Sequence, residues 1–104
     1  MAQFDVYAHP MEELRVHYPY VVQIQSDHIE QAHMRMVIPL ALLDKNASTT
    51  SRLTPLIEVF GDNYVLETLM IESFTPSELR MVLVSIRNQS QEIYDAMDFV
   101  LHGY

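Results

Sequence analysis

RMVIPLALL, Arg35 to Leu43, is the stretch on which the reading of the fold turns. Met36, Val37 and Ile38 read as the end of a buried strand. Pro39, which has no backbone N–H, stands where the ladder would continue. The expectation is a strand from Met34 to Ile38 that Pro39 brings to a stop.

Working back from that strand, YVVQIQ (Tyr20 to Gln25) is β-branched and alternates Val22 and Ile24 with Gln23 and Gln25. QFDVYA (residues 3–8) alternates Phe4, Val6 and Ala8 with Gln3, Asp5 and Tyr7, and His9-Pro10 closes it. Forward of it, the polar run Asp44 to Ser51 has no period and reads as a loop. LIEVFGDNYVLETLMI then reads as a hairpin turning at Gly61-Asp62-Asn63, residues that tolerate positive φ.

The last third changes period. In TPSE, Thr75 is placed to cap a helix, Pro76 to begin it and Glu78 to complete a capping box. Leu79, Val82, Leu83 and Ile86 follow at helical spacing, although Met-Val-Leu-Val is equally good strand material, so both conformations stay open there. Ile93, Ala96, Met97, Val100 and Leu101 repeat helical spacing with Glu92, Asp95 and Asp98 on another face. This helix is expected from about Arg87 to His102, on the order of 24 Å long.

At 104 residues the chain is expected to form one domain, residues 1–104. Its 49% apolar content, with seven methionines and ten aromatic rings, exceeds what a lone domain of this size easily hides, which suggests a homodimer. Fourteen acidic residues against six basic give a net charge of -8, a field that repels phosphate backbones and argues against direct nucleic-acid binding. With no cysteine there is neither a disulfide framework nor a thiolate nucleophile. No leader pattern and no membrane-length apolar run occurs, so a cytoplasmic protein with no membrane partner is expected.

No catalytic residue, metal site or cofactor is indicated. His9, His17, His28, His33 and His102 are scattered, without ligand spacing. Glu12-Glu13 and Asp27/Glu30 are carboxylate pairs, but charged loop residues are ordinarily just solvated. Ser48, Ser51 and Ser73 lie in no nucleophile elbow, and no Gly-rich phosphate loop occurs. A hydrolase or nuclease built on Asp27, Glu30 and His28 would need a basic groove for its substrate, and six cations leave little to build one. At the end of the chain, DFVLHGY, Gly103 can terminate the helix in a left-handed conformation. Tyr104 either meets a partner or packs back on the sheet.

MAQFDVY, VVQIQSDHIE, RMVIPLA, VFGDNY and the terminal AMDFVLHGY together resemble the CcdB family of toxin-antitoxin toxins, in register over nearly the whole chain. The resemblance implies a mainly β fold with one C-terminal α-helix: an SH3-like barrel plus a small side sheet, assembled as a homodimer. Pro39 would then sit at one of the sharp corners that a small barrel uses. It further implies a toxin that inhibits a topoisomerase, binding the A subunit of DNA gyrase and trapping the gyrase-DNA cleavage complex. A CcdA-like antitoxin would neutralise it, and the two together would repress their own operon, with operator DNA touched only through the antitoxin. Such modules serve plasmid maintenance.

Carried across by position, the gyrase-binding residues are His28, Ile29, Asp98, Leu101, His102, Gly103 and Tyr104. The family's well-known poisons carry an aliphatic residue at the position of His28, an amide at Asp98, a tryptophan at His102 and an isoleucine at Tyr104, so Ile29 and Gly103 are the matches kept. These departures admit a second reading, a disarmed relative that keeps the fold and antitoxin binding without poisoning gyrase.

Overall fold

A computed structural model describes residues 2–27, 29, 33–43 and 51–103. Strands β1 (Asp5–Ala8), β2 (Tyr20–Gln23), β3 (Arg35–Leu42), β4 (Leu56–Val59), β5 (Asp62–Leu66), β6 (Glu72–Phe74) and β7 (Val84–Ser85) form one antiparallel sheet. Its order is β4-β5-β3-β2-β1-β7, with β6 also paired to β3. A single turn of helix, α1 (Pro76–Leu79), separates β6 from β7, and α2 (Ser90–His102) follows. The chain is thus mainly β, a curled half-barrel with one C-terminal helix. The expected loop from Asp44 lies outside the described residues, apart from Ser51.

Pro39 does not stop its strand: β3 runs through it to Leu42. On one side β3 pairs with β2, and there the even-numbered residues face the partner, as the bond from the Ile24 N–H to the Met36 carbonyl shows. On the other side β6 pairs with Arg35 to Val37 and β5 with Leu40 to Leu42. Pro39 falls between the two, its carbonyl accepting from the Glu67 N–H at 3.1 Å. Its nitrogen faces the same gap, where the neighbouring strand changes, so the missing N–H removes no ladder bond. The proline marks a change of partner on one edge of a continuous strand.

Register explains why the RMVIPLALL run is apolar without alternation. Val6, Val22 and Ile38 stand opposite one another across β1, β2 and β3 and, with Leu40, Ile57, Leu66, Ile93 and Ala96, fill the core under α2. Tyr7, Val21 and Val37 point to the opposite face, where Phe74 and Leu79 cover them. A sheet buried on both faces needs apolar side chains at both parities.

The β4-β5 connection is also corrected. Val59 pairs with Asp62, which leaves a two-residue turn of Phe60 and Gly61, both at positive φ (53° and 85°), while Asp62 and Asn63 begin β5. This register is the one that sends Tyr64 and Leu66 into the core. At α1 the capping box forms as expected: the Thr75 side chain accepts from the Glu78 N–H and the Glu78 side chain accepts from the Thr75 N–H. Arg80 then turns to φ 58° and the helix ends after one turn. Of the two conformations open for this stretch the extended one prevails, because Leu79 and Ile86 are needed in different cores and β7 connects them.

The edges of the curled sheet meet at Gln89. Its side-chain amide donates to the Glu58 carbonyl (2.7 Å) and accepts from the Glu58 N–H (2.8 Å), completing on β4 the pair of bonds that another strand would make. Beside it, β4 and β7 residues line a common cavity of about 180 Å³.

Candidate target-binding site

Helix α2 begins after a 3-10 turn, Arg87–Gln89. Gln89 occupies the N-cap position without capping, since its amide is engaged on Glu58. Ile93 and Ala96 are buried and hold the helix to the barrel, with Met97 packed at their side. Gly103, at φ 76°, ends the helix, its N–H donating to the Phe99 carbonyl at 2.8 Å. The apolar series foreseen along the helix therefore splits: its first members are core, whereas Leu101 is 68% exposed. Asp98, His102 and Gly103 are exposed with it.

The second part of the predicted site is the turn after β2. Gln25, nearly buried, donates to the Ile29 carbonyl (3.2 Å) and accepts from the Met36 N–H (3.0 Å), so one amide ties the turn to β3. The Ile29 N–H closes the turn on the Ser26 carbonyl. Asp27 accepts from the Gln3 N–H (2.6 Å) and lies 3.5 Å from the Arg87 guanidinium. Ile29 itself is 53% exposed.

A series of contacts links the turn to α2. The turn is bonded to Gln3, and the ring of the adjacent Phe4 meets Tyr94 edge-on at 5.5 Å. Tyr94 and Leu101 are seven residues apart, hence on one face and about 10 Å along the axis. Ile29 and Leu101 are thus both exposed, one on a turn tied through Asp27 to the start of α2 and the other at the end of that helix. His28 and Tyr104 lie outside the described residues. Arg52, Pro55, Glu92, Asp95 and Asp98 line a cavity of about 460 Å³, and the Arg52 guanidinium lies 4.8 Å from the Phe99 ring centre.

Reasoning from sequence missed Tyr94, Gln25 and Arg87. For Tyr94 a signal existed, since it stands one turn before Asp98 and two before Leu101. For the other two a decisive partner lies far along the chain: Met36 is 11 residues from Gln25, and Asp27 and Gln3 are 60 and 84 residues from Arg87. Among the described residues no group of three His, Asp or Glu is placed to hold a metal ion, and no helix is long and apolar enough to cross a membrane.

The molecule is a curled half-barrel with one C-terminal helix, whose glycine-capped end leaves Leu101 exposed. The family model described as CcdB protein matches residues 3–103, and the chain belongs to the CcdB family, whose members are toxins of toxin-antitoxin modules rather than catalysts. No curated protein matches the chain.

Proposed function

We propose that this chain is a cytoplasmic CcdB-type toxin that acts as a homodimer, binds the A subunit of DNA gyrase and traps the gyrase-DNA cleavage complex. The observation that carries the reading is Leu101, exposed on a helix whose end is fixed by Gly103. A rigid apolar tip loses little freedom on docking, the condition under which one side chain contributes strongly to binding. Ile29 supplies a second exposed apolar contact. Further exposed apolar residues, Met36 and Leu69 to Ile71 among them, support assembly into a dimer. A CcdA-like antitoxin neutralises the toxin, and the net charge of -8 fits repression in which the antitoxin makes the operator contacts.

Purified protein in a gyrase cleavage assay tests this. Accumulation of cleaved DNA that requires the A subunit is expected, and its absence at high micromolar toxin ends the poison reading. The disarmed alternative rests on His102, which offers less rigid area than the tryptophan of the family's poisons. If His102→Trp combined with Tyr104→Ile produces growth arrest that the unaltered chain does not, the disarmed reading replaces the first.

A further inference from the structure

Arg87 holds three groups together. Its guanidinium donates to the Gln3 carbonyl (3.2 Å), lies 3.5 Å from the Asp27 carboxylate and stands 5.7 Å from the centre of the Phe4 ring. The other Asp27 oxygen takes the Gln3 N–H, so carboxylate, guanidinium and backbone close a ring of contacts. Phe4 sits at φ 72°, a left-handed conformation that a bulky residue keeps only where its surroundings impose it. Its ring is buried and braces Tyr94 from below.

Stability does not account for this cluster. The Arg87 and Asp27 side chains are 57% and 48% exposed, and ion pairs at such positions add little to folding. What the contacts do determine is placement: they join the turn carrying Ile29 to the root of the helix carrying Leu101. We propose that Arg87 is a positioning residue, which holds Asp27 against the start of α2 so that Ile29 and the Tyr94–Leu101 flank meet the target in one fixed arrangement. The inference rests on the reading of that flank as the gyrase-binding surface. A lysine at this position would keep the charge opposite Asp27 but lose the planar fork that reaches the Gln3 carbonyl as well.

The experiment compares the unaltered chain with Arg87→Ala and Arg87→Lys by amide hydrogen exchange, thermal melting and affinity for the isolated gyrase A subunit. In Arg87→Ala the Gln3 and Ile29 amides should exchange at least tenfold faster while Ile38 and Ile93 stay protected. The melting temperature should fall by less than about 4 °C. Gyrase A affinity should fall tenfold or more, with Arg87→Lys between the two. Unchanged exchange at Gln3 and Ile29, affinity within twofold of the unaltered chain, or an affinity loss that only accompanies general unfolding would each overturn the assignment. Should the unaltered chain show no gyrase A binding, the target reading falls, and the exchange data alone decide whether Arg87 places the turn.

Discussion

Tyr7 shows how one residue carries a cost that its neighbours bear. Its ring fills the second core between Val21, Val37 and Phe74, yet among the described residues its hydroxyl has no hydrogen-bond partner. A buried, unpaired hydroxyl is destabilising, so Tyr7→Phe should raise the unfolding free energy by about 1 kcal/mol, measured by urea denaturation at pH 7. Burial pushes the Tyr7 hydroxyl from its ordinary value of 10.0 up to about 12, with Asp5 adding to the rise and Arg35 opposing it. Because the folded state raises this value, the contribution is complete below pH 10 and is lost as pH climbs through 12. Between pH 9 and pH 11.5 the unaltered protein should lose about 2 kcal/mol relative to Tyr7→Phe. An identical pH response of the two would show that Tyr7 ionises as freely folded as unfolded.

Among the elements, β4 has an edge whose protection can be traced to one side chain. It is an end strand of the sheet, and the outward N–H and carbonyl of Glu58 would invite a foreign strand if Gln89 did not occupy them. The amide of one glutamine thereby blunts an edge and draws the half-barrel closed. Gln89→Ala should cost about 1 kcal/mol of stability and free that edge. Size-exclusion profiles should then show concentration-dependent association beyond the unaltered species, together with faster exchange of the Glu58 amide. A profile that matches the unaltered protein across concentrations would mean that the edge is protected by its short length alone. Helix α1 makes the converse point. Its capping box is complete, but one turn of capped helix is all that the two cores permit before β7 must begin.

For the whole molecule, what matters is the apolar surface that one chain leaves uncovered. Leu69 and Leu101 are each 68% exposed, with Met36, Met70 and Ile71 also in solvent. Sedimentation equilibrium should therefore give twice the 12.1 kDa chain mass at micromolar concentration, and a lone monomer would refute the proposed dimer. Leu101→Asp leaves the buried face of α2 untouched, so its melting temperature should stay near that of the unaltered protein. Gyrase A affinity should drop by some 30-fold, corresponding to about 2 kcal/mol, as expected for an anchor side chain. An unchanged affinity would move the contact away from the helix tip.

The local rules determined much of this protein from sequence alone. Strands within residues 3–8 and 20–25, the Thr75-Pro76-Glu78 cap, the helical spacing from Ile93 and the left-handed Gly103 are each set by neighbours within a few residues and are found, but β1 and β2 are shorter than the runs and are buried at both parities rather than alternately. Pro39 was legible as an oddity but not as a junction, because whether a missing N–H ends a strand depends on what lies beside it. Here that is β6 and β5, contributed from 25 to 35 residues downstream. The same limit applies to the exposed tip and its turn. Helical periodicity cannot tell which members of an apolar stripe the barrel will cover, and it cannot foresee that Arg87 and Asp27 meet. Only the closed fold decided these, since burial and ion pairing across distant segments are properties of surfaces that do not exist until the sheet has curled.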